Sequence, residues 1–542
     1  MGICFNKKKG GALKINIQNW NIEDSAFWDA EGKKTAFRNL WISIPALLQS
    51  FSIWIMWGMI IVQMKKLGFT LGMPHETLED LKVFNELLWT IPAIAGLSGA
   101  TLRIPNSFLI AIGGGRNVVF LSTVLLLIPA VGAGIALQDI HTPYHVFAVL
   151  AVLSGFGGGN FASSMSNISF FFPKRMQGTA LGLNAGLGNL GVSVMQFLIP
   201  AVITAGFFGA CAGAGLPLVE TDGTKAAGTL VYLQNAGWIW VLFLVLSAIA
   251  SFFGMNNLKM ATPELGDYAG EFFRIVLLVF FGLVAAGTGS YLQAELKWNM
   301  WLVLPITIIL TLLLMKILSP RQIKSSLDRQ FAIFKNKHNW IMTILYVMTF
   351  GSFIGYSASF PKLIQDVFGY LPGGQVNPNA PNPMTWAFLG PLVGALIRPL
   401  GGWLSDKINS GSKVTTWSTI VQVIAALGVA FFIVKAKSLS TPETYWWPFF
   451  ALFMILFVAT GVGNGSTFRS IPYIFSKEQA GPVLGWTSAV AAYGAFIIPI
   501  VFGQQIKAGH AEYALYGFTV YYVVCLFLNW YYYDRKNSGM QC

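Results

Sequence analysis

Two arginines stand inside long apolar stretches of the sequence, Arg103 in the stretch 86–112 and Arg398 in the stretch 386–404. Arg398 follows Trp386 by 12 residues, or roughly 18 Å along a helix that rises about 1.5 Å per residue. Neither arginine can reach water in the way that a residue at the end of a stretch does. An arginine at the centre of a membrane helix costs about 2.5–3.5 kcal/mol, so each needs a compensating partner.

The sequence offers no obvious anionic partner for these arginines. None of the 22 aspartates and glutamates lies in the middle of an apolar stretch, and Glu86 and Asp406 stand at stretch ends. Each arginine either pairs with a carboxylate brought from elsewhere, or is neutralised by a bound anion. A guanidinium group is planar and permanently charged, and its fork of N–H groups suits a flat oxyanion. We therefore predict an anion-binding site.

The elements that carry these arginines are predicted to be membrane helices. The chain has 542 residues, of which 55% are hydrophobic and 11% charged, against about 25% charged in a globular protein. The mean hydropathy is +0.61. Apolar stretches of about 20 residues can span a bilayer. We predict an all-α polytopic membrane protein with spans near 40–64, 86–112, 118–137, 145–172, 177–207, 230–254, 272–289, 300–318, 340–360, 386–404, 415–434, 446–475, 481–503 and 513–532, which makes 14 in all.

An internal repeat divides these spans into two halves. The motif Gly99-Ala-Thr-Leu-Arg103 returns as Gly394-Ala-Leu-Ile-Arg398. In each half, a glycine run follows the arginine motif, and one span lies between the two. These runs let helices pack closely, and they can also let a substrate approach the backbone or let two helices slide. The glycines concerned are Gly155, Gly157, Gly159, Gly461, Gly463 and Gly465. Two six-helix bundles related by duplication are predicted.

The repeat and the hydropathy together predict the domain boundaries. Residues 1–39 form a cytoplasmic N-terminal segment, 40–255 the N-terminal bundle, and 339–533 the C-terminal bundle. Residues 256–338 form an inserted helix pair with a basic cytoplasmic loop, and 534–542 a cytoplasmic tail. The inserted helices carry few polar residues, so we expect them at the lipid-facing periphery.

The net charge of +13 is read as a topology signal, because the basic residues lie mainly in short loops on one side of the predicted spans. Both termini are therefore expected in the cytoplasm, and no nucleic-acid partner is predicted. Exceptions expected on the opposite side are Lys65, Lys66, Lys82, Lys225 and Lys362.

The sequence contains no pattern typical of an enzyme, a metal site or a cofactor site. The four cysteines Cys4, Cys211, Cys525 and Cys542 lack metal-ligand spacing and suggest no disulfide framework. Neither a nucleophile elbow nor a phosphate-binding loop occurs in a suitable context. We expect neither metal nor cofactor, and no enzymatic activity.

Three segments resemble the nitrate/nitrite porters of the major facilitator superfamily. They are Gly155-Phe-Gly-Gly-Gly-Asn-Phe-Ala-Ser-Ser-Met-Ser-Asn-Ile-Ser-Phe-Phe-Phe-Pro173, Ala180-Leu-Gly-Leu-Asn-Ala-Gly-Leu-Gly-Asn-Leu-Gly-Val-Ser193 and Gly461-Val-Gly-Asn-Gly-Ser-Thr-Phe468. The resemblance covers nearly all of the chain except about 260–325. It implies the major facilitator fold, here with two extra central helices.

The resemblance also implies roles for individual residues. Arg103 and Arg398 would jointly hold the anion, while Asn189 and Tyr346 would donate hydrogen bonds to it. The aromatic walls of the site would be Phe51, Phe161 and Phe350, whose ring edges carry positive potential. Ordinary helix packing is the alternative for each phenylalanine. Gly402, Asp406 and Lys407 match a cytoplasmic loop motif that ties neighbouring helix ends. Arg469, after the second glycine run, could face either the transport pathway or the cytoplasm.

The function implied is transport of nitrate, nitrite or both through the cell (inner or plasma) membrane by alternating access, in nitrate assimilation. Two uncompensated arginines would repel each other in a closed, empty site, which favours nitrate/nitrite exchange. A proton-coupled nitrate symporter is the alternative, although a mid-span Asp, Glu or His relay is missing from the sequence. An anion sensor built on a transporter fold is a further alternative, although no signalling domain is visible. The expected partners are nitrate, nitrite and membrane lipid, and the protein is expected to be a monomer.

Overall fold

The computed structural model describes residues 16–73, 77–209, 212–221, 225–262, 268–372, 374–536, 538 and 540. Cys4, Cys211 and Cys542 lie outside the described residues. Within the described part, 14 helices are long and apolar enough to cross a membrane, which confirms the predicted all-α polytopic architecture.

These helices are numbered here as spans in chain order. The first six are Ser25–Lys66, Leu78–Gly113, Gly115–Ala136, Tyr144–Phe171, Ala180–Val202 and Asn235–Gly254. The inserted pair is Ala269–Ala294 and Met300–Leu318. The last six are Lys337–Phe368, Pro383–Lys407, Gly411–Lys437, Pro442–Ile471, Val483–Lys507 and Ala511–Asp534. A short helix, Arg321–Gln330, follows the inserted pair.

Two pairs of two-residue strands accompany the helices. Asn16–Ile17 pairs in parallel with Asn257–Leu258, and Leu216–Pro217 pairs in antiparallel fashion with Leu230–Val231. The first pair ties the N-terminal segment to the chain after the sixth span. We call the side of the protein on which this strand pair lies the terminal side, and the opposite side of the protein the far side.

The first span begins earlier than the sequence predicted. Helical structure starts at Ser25, and the continuous helix from Lys33 lies partly inside the segment assigned to residues 1–39. This segment is held against the fourth span, because Trp20 Nε1 donates to the Phe170 carbonyl at 3.0 Å. Hydropathy alone missed the start because the first turns are polar.

The second span, which carries Arg103, has well-defined ends. Thr77 and Asp80 form a capping box, with Thr77 Oγ1 accepting from Asp80 N at 3.1 Å and Asp80 Oδ2 accepting from Thr77 N at 2.9 Å. Gly114, with a φ of +82°, ends the helix in a conformation that suits glycine. The helix thus spans 36 residues with Arg103 inside it.

The two halves repeat the same close helix packing. A Cβ atom on Gly158 would lie 2.5 Å from Gly99 Cα, so the second and fourth spans approach each other through glycines. In the second half, a Cβ on Gly461 would lie 2.4 Å from the Gly394 carbonyl oxygen, between the tenth and twelfth spans. The sequence repeat therefore corresponds to a structural repeat.

The inserted pair packs against the first half. A Cβ on Gly282 would lie 2.7 Å from Leu102 Cδ2 of the second span. Asn117 Nδ2 at the start of the third span donates to Glu271 Oε2 at 2.8 Å, and Glu271 is fully buried. The eighth span is mostly exposed. The lipid-facing position expected for the inserted pair therefore describes the eighth span better than the seventh span.

The ninth span extends beyond its predicted end at residue 360. Lys362, expected outside the spans on the side opposite the termini, therefore lies near that end but inside the span, where it is fully buried. Its Nζ donates to Asn85 Oδ1 at 2.8 Å and to Asp366 Oδ1. Trp89 Nε1 donates to Asp366 Oδ2 at 2.9 Å. We call Asn85, Trp89, Lys362 and Asp366 the Lys362 cluster. It links the two halves near the far side, and its oxygens compensate the buried ammonium.

The assignment of Gly402, Asp406 and Lys407 to a loop was also wrong, because all three lie in the helix Arg398–Lys407. Asp406 still contacts a neighbouring helix: Arg469 Nε donates to its Oδ1 at 3.2 Å. Arg469 Nη2 also donates to Asn409 Oδ1 at 2.9 Å. Arg469 therefore belongs to the terminal side of the second half.

Candidate anion-binding site

Arg103 is completely buried in the second span, and its guanidinium group contacts both halves of the protein. Its Nε donates to the Gly158 carbonyl at 2.8 Å, within the first half. Its Nη1 donates to the Ser488 carbonyl at 3.2 Å, in the thirteenth span. Its Nη2 is buried and has no hydrogen-bond partner. One nitrogen thus remains available for a ligand.

Arg398 lies where the tenth span is interrupted. The helix Leu389–Leu396 ends just before it and the next begins at Arg398. Pro399 explains the interruption, because proline lacks an N–H group and crowds the preceding helical turn. Arg398 is 7% exposed, and its Nε and Nη2 have no hydrogen-bond partner. These two nitrogens form one edge of the guanidinium group and can hold two oxygens of one anion.

Phe350 lies between the two arginines. Its ring centroid is 5.0 Å from Arg103 Cζ and 5.5 Å from Arg398 Cζ. The residue belongs to a π-helical turn, Val347–Gly351, a local geometry that is frequent at functional sites. The ring of Tyr346 stacks on that of Phe350 with centroids 5.7 Å apart.

The other two phenylalanines that the sequence analysis assigned to the site lie close to Arg103. Phe161 and Phe51 have ring centroids 4.7 and 5.9 Å from Arg103 Cζ. Phe161 also stacks against Phe350 at 6.1 Å. The structure therefore brings both arginines, Tyr346 and all three phenylalanines into one buried layer.

Two rings near the arginines were missed by the sequence analysis. The ring centroid of Trp54 lies 5.2 Å from Arg103 Cζ, and that of Phe353 lies 4.1 Å from Arg398 Cζ. Their spacing was a usable signal. Trp54 follows Phe51 by three residues, and Phe353 follows Phe350 by three residues, in the first span of each half.

Several buried polar atoms near this layer lack hydrogen-bond partners. The Tyr346 hydroxyl has the Asn464 side chain as its neighbouring polar group, and Tyr346 interacts electrostatically with both arginines. Asn189 is fully buried in the fifth span, where its Nδ2 donates to the Ala185 carbonyl at 2.6 Å and its Oδ1 has no partner. Asn189 forms no hydrogen bond with either arginine, so its assigned role remains a prediction.

The charge of the site is not balanced by protein carboxylates. Among the described residues, no aspartate or glutamate forms an ion pair with Arg103 or Arg398. The carboxylates that are buried, Glu271, Asp366 and Glu512, lie near helix ends. Within the described part of the chain, no cluster of His, Cys, Asp and Glu could hold a metal ion. The arrangement is cationic, buried and suited to a small anion.

The glycine runs allow the helices around the site to approach one another. A Cβ would lie 2.0 Å from the Ser50 carbonyl oxygen at Gly157 and 2.3 Å from the Arg398 carbonyl oxygen at Gly465. Close contacts would also arise at the remaining four, Gly155, Gly159, Gly461 and Gly463. Close packing therefore accounts for these glycines.

No family model matches the chain. It is 38% identical over 529 residues to the probable nitrate/nitrite antiporter NarK2 of Thermus thermophilus, covering 97% of this chain and 98% of that protein. It is 34% identical over 547 residues to the nitrate/nitrite transporter NarU of Escherichia coli (strain K12), covering 97% of each.

A likeness to solved structures concerns the fold. The xylose transporter XylE from E. coli, in a partially occluded inward open conformation, superimposes with a TM-score of 0.57 at 13% identity. The match covers 92% of this chain and 97% of XylE. XylE is a major facilitator superfamily transporter, so the helices here adopt the major facilitator fold.

Proposed function

Because the chain belongs to the family of NarK and NarU nitrate/nitrite transporters, we propose that it carries nitrate and nitrite across the cell membrane by alternating access. The observation that carries the proposal is the pair of buried arginines, one from each half, which have unpaired N–H groups and, among the described residues, no carboxylate bound to them. A planar oxyanion supplies both the missing charge and the missing acceptors. The protein is not an enzyme in this proposal.

The two arginines would hold the anion in different ways. Arg398 offers the Nε and Nη2 edge, which matches two oxygens of one nitrate or nitrite ion. Arg103 offers Nη2 alone, because backbone carbonyls accept from its Nε and Nη1. Tyr346 and Asn189 would donate further hydrogen bonds, while Phe51, Phe161 and Phe350 would exclude water around the anion.

Exchange follows from the charge of the empty site. Arg103 and Arg398 repel each other electrostatically, and the repulsion strengthens where water is excluded. A bound anion removes this repulsion. Reorientation of the halves is therefore fast when the site is loaded and slow when it is empty, which couples entry of one anion to exit of another.

We infer that both termini lie in the cytoplasm and that the Lys362 cluster lies toward the outside. Two further hydrogen bonds join the halves in addition to the Lys362 cluster. Lys507 Nζ donates to Glu86 Oε2 at 2.7 Å, and Gln196 Nε2 donates to the Ser357 carbonyl at 2.8 Å. These contacts close the pathway on the outer side. The protein works as a monomer surrounded by lipid in the cell (inner or plasma) membrane and serves nitrate assimilation.

Counterflow in proteoliposomes tests this proposal. Vesicles loaded with nitrite should take up labelled nitrate, whereas vesicles without internal anion should take up little. Arg103→Lys and Arg398→Lys should both lower uptake, while Arg321→Lys, at an exposed arginine of the helix Arg321–Gln330, should match the parent.

Two results would overturn parts of the proposal. Uptake that is equal with and without internal anion, and that follows an imposed proton gradient, would replace exchange by proton symport. An absence of nitrate and nitrite uptake from the parent under all gradients would remove the transport proposal itself.

A further inference from the structure

The glycine that begins each arginine motif lies against an aromatic ring. In the second half, a Cβ on Gly394 would lie 2.7 Å from Phe353 Cε2. Gly394 precedes Arg398 by four residues in the tenth span, on the other side of the interruption in that span. The ring that Gly394 accommodates is the same ring that lies 4.1 Å from Arg398 Cζ. No other ring lies closer to either arginine of the site among the described residues.

The first half repeats this arrangement with a different ring. A Cβ on Gly99 would lie 2.1 Å from Trp54 Nε1, and the Trp54 ring lies 5.2 Å from Arg103 Cζ. Gly99 again precedes its arginine by four residues. Trp54 Nε1 donates to the Ala95 carbonyl at 2.7 Å, which fixes the ring in place. The same three-part unit of glycine, ring and arginine thus occurs on both sides of the site.

A ring can support a buried arginine in a way that a carboxylate cannot. The negative face of an aromatic ring attracts the guanidinium group and limits its orientation. It neither neutralises the charge nor occupies the N–H groups at the edge of the guanidinium plane. Arg398 Nε and Nη2 accordingly remain free of protein partners. A carboxylate in the same place would compete with the anion.

We propose that Trp54 and Phe353 are positioning residues that orient Arg103 and Arg398 for the anion, and that Gly99 and Gly394 are required to seat these rings. The inference rests on the proposed transport of nitrate and nitrite. It assigns roles to four residues outside the set of anion contacts described above. Phe353 is the sharper test of the two, because Trp54 also anchors the second span through its hydrogen bond.

The test compares Phe353→Leu, Phe353→Tyr and Phe360→Leu in nitrate/nitrite counterflow. Leu keeps apolar bulk but removes the ring face, whereas Tyr keeps the face. Phe360 is the matched control, since it is fully buried on the same helix within a cluster of rings. Phe353→Leu should raise KM for nitrate by about threefold to thirtyfold, the range expected from a lost cation–π contact. Vmax should stay near the parent value, because the contact is expected to stabilise the anion-bound state equally throughout the transport cycle.

Two further variants separate positioning from packing. Gly394→Ala should raise KM like Phe353→Leu, because the new methyl group displaces the ring. The double variant Phe353→Leu with Arg398→Lys should be no worse than Arg398→Lys alone, since Phe353 acts through the arginine. The folded fraction of each variant is compared by size-exclusion chromatography in detergent.

The outcomes distinguish this inference from the proposed function. If the parent and Phe360→Leu exchange nitrate but Phe353→Leu keeps the parent KM, the positioning role is wrong. It is also wrong if Phe353→Tyr is no better than Phe353→Leu, or if the effects of Phe353→Leu and Arg398→Lys multiply. If the parent itself exchanges no nitrate, the transport proposal fails instead.

Discussion

Arg103 and Arg398 occupy equivalent positions in the two repeats, but their guanidinium groups are held differently. Backbone carbonyls of Gly158 and Ser488 accept from Arg103, so one nitrogen is left over. Arg398 keeps the whole Nε and Nη2 edge unpaired. At the scale of residues, Arg398 is therefore the main ligand in the proposed anion site, and Arg103 would combine anion binding with a link between the halves.

Replacing Arg398 by Lys should weaken nitrate binding more than it weakens the fold. An ammonium group keeps the charge and loses the paired donors, and a hydrogen bond to a charged group contributes about 1.5–3 kcal/mol. KM for nitrate should therefore rise at least about tenfold. Arg103→Lys should instead lower the melting temperature, because the hydrogen bonds from the guanidinium group to the Gly158 and Ser488 carbonyls are lost. Initial rates and thermal melts of both variants check this, and equal effects in both assays would contradict it.

Arg469 offers a contrasting prediction at the same scale. Its Nε contacts Asp406, whose side chain is 71% exposed. An ion pair with such an exposed partner contributes little to the free energy of folding. Arg469→Gln should leave KM for nitrate unchanged, because the side chain is directed toward the terminal side of the second half and away from the anion. A rise in KM comparable with that of Arg398→Lys would place Arg469 in the pathway after all.

At the scale of elements, the helices meet through two kinds of contact. Glycines of the two runs let neighbouring spans approach within each half. Between the halves, the second and ninth spans are joined by the Lys362 cluster, in which a buried ammonium contacts both Asn85 and Asp366. In the proposed alternating-access cycle, this cluster would have to separate when the far side opens, so it would contribute to the free energy of that movement.

Lys362→Met should destabilise the protein strongly, because it leaves the Asp366 carboxylate buried without its partner. Breaking a buried pair in this way costs about 3–5 kcal/mol, whereas Lys362→Met with Asp366→Asn should cost much less. Lys82→Met is the control, since Lys82 contacts Glu79 at 3.6 Å in an exposed pair. Melting temperatures in detergent provide the measurement. A double variant as unstable as the single one would refute this account.

At the scale of the whole molecule, the proposed anion would connect the two halves. Arg103 belongs to one half and Arg398 to the other, and an ion between them would remove their repulsion and bond to both. In this proposal the substrate stabilises the closed conformation, which is the property that an exchanger requires.

Nitrate should consequently raise the melting temperature of the whole protein. Binding at a concentration 100 times Kd stabilises a folded protein by about 2.7 kcal/mol. Sulfate at equal ionic strength should have a much smaller effect, because it is neither planar nor singly charged. Arg398→Lys should reduce the shift with nitrate, while Arg321→Lys should retain it. Equal shifts with both anions in the parent would indicate a general salt effect instead.

The sequence by itself determined the helical membrane architecture, the number of spans, the internal repeat and the two unbalanced arginines. Hydropathy is a local property and bilayer thickness sets its length scale, so spans can be found without knowing their neighbours. The tertiary structure decided which groups surround the arginines, and it showed that Lys362 is buried inside the ninth span. Arg103 and Ser488 are 385 positions apart, and Lys362 and Asn85 are 277 apart. Contacts at such separation depend on how the helices pack, and neither hydropathy nor spacing along one helix reports that packing.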